Sequence, residues 1–268
     1  MADDVRSFRK LPPFLYILAV IGFLFLILPM AALLAKVPWT RFWFNINKPE
    51  VLLALKVSIY TSLLIAVCAA ILGIPLAYLL ARGPTKLTKL IHPFVVSALV
   101  FPPTVAGLAL AALLSETGVF GKLIFNITGW VPAGSTLAVV LAGLFVGMPF
   151  LVVVVQASFE GLETHLEESA ASDGATRSQI FRKIVLPQSK IPILAGMFLT
   201  WARALGEFGA TMTFAGAFPG KTFTTAMQIY ADLKIDSEAA YCLSALMLTI
   251  CLSVIFLARS NWLPYLKK

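Results

Sequence analysis

Charge is scarce in this sequence: only 13% of its 268 residues are Asp, Glu, Lys or Arg, where a soluble domain carries about 25%. That shortfall excludes an ordinary soluble globular fold. Histidine and cysteine are scarcer still, at 2 and 3 residues. Cys68, Cys242 and Cys251 all fall inside apolar runs, where a thiol packs as a small hydrophobe instead of joining a disulfide set or a metal cage. His92 and His165 stand alone, with no ligand spacing around them. No Ser/His/Asp or paired-carboxylate arrangement occurs at catalytic spacing, which leaves an enzyme reading without a nucleophile or acid. The segment Ala215-Gly216-Ala217-Phe218-Pro219-Gly220-Lys221-Thr222 imitates a phosphate-binding loop but has Ala215 where that loop needs glycine, and it follows an apolar run instead of a strand. We therefore expect no nucleotide, cofactor or metal site on this chain.

What the sequence has instead is long apolar runs. Hydrophobic residues make up 59% of the chain and the mean hydropathy is +0.90. Six runs, 14–35, 51–81, 91–114, 136–158, 191–215 and 241–258, are candidates to cross a hydrocarbon core, which needs roughly 20 residues per helix. They are apolar all round, unlike surface helices, and do not alternate as barrel strands do. The expectation is an all-α polytopic membrane protein with six transmembrane helices. The first run follows Arg6, Arg9 and Lys10 as a signal peptide would, but it exceeds the roughly 7 to 15 residues of a signal core, so it reads as a retained helix.

The formal charge of +8 sorts by position. With the N-terminus inside, 13 of the Lys and Arg residues fall in cytoplasmic segments and 6 in outer ones, which favours both termini in the cytoplasm. Basic charge distributed in this way is a topology signal and implies no nucleic-acid partner. Trp39, Phe42, Trp43 and Phe44 cluster after the first run, where aromatic rings anchor a chain at the outer headgroup level of the bilayer. Gly143 and Gly147 form a GxxxG spacing suited to close helix approach.

One long cytoplasmic loop, 159–190, differs from its surroundings by gathering five acids with four basic residues. Thr164 with Glu167, and Thr176 with Gln179, both read as capping boxes. They predict two short helices separated by Gly174, the residue type that takes a left-handed turn without a Cβ clash. Pro187 ends the second helix. Ser169, Ala170 and Ala171 are small enough to let the first helix approach a partner groove closely. The plainer alternative is a solvated helical hairpin.

The run Glu168-Ser169-Ala170, three residues, Gly174, nine residues, Ile184, one residue, Leu186-Pro187 resembles the EAA loop of ABC importer permeases, with Ser169 replacing an alanine. The resemblance implies the type I ABC importer (MetI-like) transmembrane domain over 51–258, preceded by a cytoplasmic N-terminus, first helix and outer loop (1–50) and followed by a cytoplasmic tail (259–268). It also implies that Glu167, Glu168, Ser169, Ala170, Ala171, Gly174, Ile184, Leu186 and Pro187 dock on a separate cytoplasmic ATPase, which carries the ATP and Mg. Such permeases work in pairs in a prokaryotic inner membrane, so the implied partners are two ATPase subunits, a second copy of the permease and an extracytoplasmic binding protein.

Further along, Arg203-Ala204-Leu205-Gly206-Glu207-Phe208-Gly209-Ala210-Thr211, with Phe214-Ala215-Gly216 and Pro219-Gly220-Lys221-Thr222, resembles a stretch of molybdate permeases, with sulfate permeases as near relatives. Phe101-Pro102-Pro103-Thr104-Val105-Ala106-Gly107 is similar to that group too. The implied substrate is a tetrahedral oxyanion, molybdate or tungstate, with sulfate as the alternative. An ion-coupled secondary transporter is a further rival.

The residues of this region carry their own physical reading. Arg203 and Glu207 are four apart in the fifth run and are its opposite charges, roughly 18 and 24 Å beyond Ile191 at the helical rise. They are either a neutralised structural pair or part of an outer gate. Pro102 and Pro103 interrupt backbone bonding near the middle of the third run, as a proline kink or as a broken helix whose N–H groups meet an anion. With Thr104, Gly209 and Thr211 they make up the candidate path or gate. An unpaired buried cation would hold an oxyanion too tightly to release it, so we expect no tight site on this chain.

Overall fold

The computed structural model describes residues 12–266, with side chains described as far as residue 256. Arg6, Arg9, Lys10, Arg259, Lys267 and Lys268, which enter the charge count for orientation, lie outside those side chains. Among the described residues the regular structure is entirely helical. In lipid this follows from the backbone, because a helix satisfies its own N–H and C=O groups where no water can.

Helix α1 (Pro13–Ala35) leads through a 3₁₀ turn (Trp39–Arg41) and the short α2 (Phe42–Ile46) into α3 (Pro49–Arg82). Next come α4 (Thr85–Val100), α5 (Pro103–Leu114) and α6 (Gly121–Thr128), then the long α7 (Thr136–Glu160). The charged loop holds α8 (His165–Ser172) and α9 (Arg177–Gln188). The chain closes with α10 (Lys190–Leu205), α11 (Gly209–Phe214), α12 (Thr225–Ile235) and α13 (Ser237–Leu266).

Among the described residues four helices, α1, α3, α7 and α13, are long and apolar enough to cross a membrane without a break. They match the first, second, fourth and sixth predicted runs. The third run is not one helix: α4 stops at Val100, Phe101 and Pro102 are extended at ψ 125° and 130°, and α5 restarts at Pro103. The fifth is also broken, with α10 ending at Leu205 and α11 beginning at Gly209. A continuous helix was the expectation for the fifth run, because apolarity continues across its break, whereas the double proline of the third left a kink and a restart both open. Proline without an N–H opens the first break, and Gly206 and Gly209 flank the second.

Helices α3, α7 and α10 pack on one another to form the centre. The two glycines of α7 lie where it is crossed: a Cβ at Gly143 would collide with Ile65 of α3, and one at Gly147 would come within 3.3 Å of the Thr200 carbonyl of α10. Thr200 Oγ1 donates to the Gly147 carbonyl at 3.0 Å, so the close approach is also hydrogen-bonded. Helix α1 has no buried residue and touches the rest through Leu33 and Leu34, beside the cluster of Val51, Leu55 and Leu243. The three cysteines are free thiols, Cys242 buried and the others half-buried. Trp39, Trp43 and Phe44 are exposed, at 59 to 72%.

Candidate functional site

Two groups of residues stand out, one in the charged loop and one at the two broken helices. In the loop, α8 ends in a Schellman turn: Ala175 N–H donates to the Ala170 carbonyl at 2.9 Å and Gly174 N–H to Ala171 at 3.0 Å. Gly174 sits at φ +84°, the left-handed region that its sequence position called for. Thr176 opens α9 with a complete capping box, accepting from Gln179 N–H at 3.3 Å while the Gln179 side chain accepts from Thr176 N–H at 2.7 Å.

The first predicted capping box is absent. Thr164 has a helical backbone and makes no side-chain cap bond. Its expected partner Glu167 turns the other way, accepting from Arg82 Nη2 at 3.0 Å and Nε at 3.2 Å. A charge-assisted bond to a guanidinium outcompetes a bond to a backbone amide. Successive residues of α8 therefore divide by face. Glu167 and Ala170 turn inward, half-buried, while Glu168, Ser169 and Ala171 are exposed.

In α9 the helix widens into a π turn at Phe181–Val185 directly before Leu186 and Pro187. Proline clashes with the carbonyl four residues back, and the wider turn moves that carbonyl away. Ile184 and Leu186 are half-buried and Pro187 is exposed. Ile184 packs against the core cluster of Leu80, Val155, Phe159 and Ile180. One residue after α9 ends, the chain turns by 74° into α10.

The second group forms where the breaks meet. Helix α5 begins at Pro103 and α11 at Gly209, and a Cβ on Gly209 would stand 3.0 Å from Pro103 Cβ and 3.2 Å from Thr104 N. On the next turn of α5, a Cβ on Gly107 would overlap Thr213 Oγ1 and lie 2.9 Å from Ala210 Cα. Thr213 Oγ1 lies 2.9 Å from the Gly209 carbonyl of its own helix and 3.3 Å from the Thr104 carbonyl across the crossing, acceptors that compete for its one proton. The candidates Pro103, Thr104 and Gly209 are thus in one contact, with Pro102 exposed beside it. Gly107 and Thr213 belong to the same contact and were not singled out as site residues. Four-residue spacing from Pro103 to Gly107 on one helix face was the available signal.

Arg203 and Glu207 pair at 2.6 Å, but across the end of α10, since Glu207 lies two residues beyond it. Glu207 is 2% exposed, and its other oxygen accepts from Ala210 N–H at 2.8 Å, in the first turn of α11. One carboxylate therefore ties the end of α10 to the start of α11, where a helix N-terminus favours negative charge. Thr211 is buried, and its hydroxyl makes no hydrogen bond among the described residues.

The Pro219-Gly220-Lys221-Thr222 segment closes on itself. Thr222 Oγ1 accepts from Phe218 N–H at 2.8 Å and donates to the Gly216 carbonyl at 2.9 Å. Nearby, Lys48 and Asp236 pair at 2.7 Å, joining the start of α3 to the start of α13. Their hydrogen bond holds the lysine above and the aspartate below their ordinary pKa values. Burial raises the carboxyl of Asp232 on α12.

Residues 69–263 match the family of binding-protein-dependent transport system inner membrane components. The chain belongs to that family and is the membrane-spanning permease subunit of an ABC importer. Relatives named molybdenum transport system permease protein ModB, from Mycobacterium bovis and Mycobacterium tuberculosis, are each 36% identical over 245 residues, covering 91% of this chain and 92% of theirs. The sulfate transport system permease protein CysT of Escherichia coli is 35% identical over 242 residues, covering 87% of this chain and 85% of its own. Among solved structures, a bacterial ABC transporter involved in the import of the acidic polysaccharide alginate superposes with a TM-score of 0.74 at 20% identity, over 92% of this chain and 94% of that one. The MetNI methionine ABC transporter, in inward-facing conformations, gives 0.60 at 17% identity, over 80% and 97%.

Proposed function

We propose that the chain is the permease of an ATP-driven importer for molybdate or tungstate. The observation that carries this reading is the 36% identity to molybdenum permeases over nearly the whole of both chains. Sulfate is the second reading, since a sulfate permease is 35% identical over a slightly smaller share.

In this account the six predicted runs are six passages through the inner membrane, two of them broken, with both termini inside. Two copies of the chain form the pore, two ATPase subunits dock on the loop 159–190, and a binding protein outside delivers the oxyanion. The exposed face of α8, Glu168, Ser169 and Ala171, meets the ATPase. ATP binding draws the two loops together and turns the pore outward. A ligand shifts such an equilibrium only by its differential affinity for the two states, so the ATPase contacts the loop differently in each.

Geometry disfavours an ion-coupled transporter. Glu207, the carboxylate candidate, is ion-paired with Arg203 at 2.6 Å through Oε2, which makes no hydrogen bond among the described residues, and accepts from Ala210 N–H through Oε1. The same pairing leaves Arg203 compensated, in keeping with a path that binds its anion weakly and leaves discrimination to the binding protein.

The test is ATP-dependent uptake of molybdate by the reconstituted complex, with tungstate and sulfate as competitors. Tungstate competing strongly and sulfate poorly is the expected result. Sulfate winning would transfer the substrate reading to the sulfate permeases.

A further inference from the structure

Arg82, the partner of Glu167, is also one of the basic residues on the cytoplasmic side of the expected topology. Its surroundings give it a more specific place. It is the last residue of α3, a helix of 34 residues, about 51 Å at the helical rise where the hydrocarbon core takes only about 30 Å. The surplus length carries the end of α3 out to the coupling loop. There the Arg82 guanidinium donates to Glu167 through Nε and Nη2 and, at 3.3 Å, to the Leu162 carbonyl just before α8. Both side chains are shielded, Arg82 being 20% and Glu167 15% exposed. Two nitrogens of Arg82 meet one Glu167 oxygen, and a shielded ion pair of this kind is less screened than a surface pair.

One turn back, Tyr78 of α3 packs on Phe159 at 5.8 Å and on Phe181 at 4.7 Å, closing an aromatic trio with the end of α7 and the start of the π turn. Ala77 and Leu80 share a buried cluster with Ile180 and Val185 of α9. Pro75 removes one backbone hydrogen bond from α3, and the same cluster, with Leu151, Val152 and Val155 of α7, supports the helix along that stretch. Helix α10, by contrast, meets the loop only after the 74° turn at Ser189. The far part of α3 is also anchored: Ser58 Oγ accepts from Thr225 N–H at 2.7 Å, and Thr225 Oγ1 donates to the Ala54 carbonyl at 3.3 Å, holding the start of α12.

We infer that Arg82 is a positioning residue that locks α3 to the coupling helix, making α3 the rod that carries movement between the ATPase and α12 on the outer side. This rests on the permease reading above. Glu167 and Glu168 then have opposite duties: Glu168 receives the ATPase on the exposed face, and Glu167 passes the displacement inward to Arg82. Thermodynamic coupling is reciprocal, so the same rod carries the signal of a loaded binding protein back to the ATPase.

The experiment uses the full complex in liposomes and measures ATP hydrolysis with and without loaded binding protein, beside ATP-driven uptake. Arg82→Gln is expected to assemble with the ATPase and keep its basal hydrolysis. Stimulation by loaded binding protein falls at least fivefold and uptake falls in proportion. The exchanged pair Arg82→Glu with Glu167→Arg restores at least half of both. Arg82→Gln with wild-type stimulation would overturn the inference, and so would an assembled exchanged pair that stays unstimulated. Should Arg82→Gln fail to assemble, the exchanged pair decides alone. A wild-type complex that shows no ATP-driven uptake would instead defeat the permease reading itself.

Discussion

The charged loop and the crossing of α5 with α11 are both built from short helices, yet they are held in different ways. In the loop the backbone is closed by near neighbours: Thr176 and Gln179 bond each other three residues apart, and Ala175 reaches back to Ala170. At the crossing the partners are far apart in sequence, as with Thr213 and Thr104, 109 residues away. Absent side chains decide its geometry, because Gly107 and Gly209 let two backbones touch. The first region is written in what its polar side chains do locally. Distant small residues and one ion pair with a buried carboxylate define the second.

Breaking the ion pair should have the largest effect. Arg203→Ala leaves Glu207 as a buried carboxylate without its cation, a change that costs about 3–5 kcal/mol. Thermal unfolding of the purified chain in detergent should show it as a large fall in Tm. The double variant with Glu207→Ala should recover part of that loss, and a double variant no better than the single one would show that the pair is not what holds α10 to α11.

Gly107→Ala comes next, since its Cβ meets Thr213 Oγ1 and Ala210. Overpacking of this kind costs about 1–3 kcal/mol. A Tm equal to the wild type would mean that the two helices have room to separate.

Smaller effects belong to the loop. Gly174→Ala forces a side chain to φ +84°, which costs about 1–2 kcal/mol. Binding of the ATPase subunits should weaken while the Tm of the membrane-embedded part stays in place, the reverse of the pattern at the crossing. Thr176→Ala loses the capping bond, about 1 kcal/mol, and should appear as faster amide hydrogen exchange at Gln179. Unchanged protection there would show that the tertiary cluster around Ile180 holds α9 without its cap.

This contrast explains what could be read in advance. The loop's two helices, the turn at Gly174 and the second capping box follow from local patterns, and the structure has all three. The first capping box failed because Arg82, 85 residues away, offers Glu167 a stronger bond. No pattern within 159–190 contains that competitor. Apolar runs located the spans, with α3 and α7 within two residues of expectation at either end. Hydropathy is blind to a break that stays apolar, so α10 and α11 read as one helix. The double proline announced the first break but left kink and restart undecided, and packing of Pro103 on Gly209 goes with the restart. Glu207 was read as sharing a helix face with Arg203. It pairs with Arg203 because α11 begins where its second oxygen can accept from Ala210.

The central claim is that this chain conducts only when a separate ATPase works on its loop. Uptake of molybdate into liposomes tests it most directly, measured with the permease alone and with the permease joined to its ATPase subunits and binding protein, each with and without ATP. The account predicts uptake only in the full complex with ATP, and its loss when Glu168→Lys reverses the charge on the exposed face of α8. Uptake by the permease alone, driven by an ion gradient and indifferent to ATP, would contradict it.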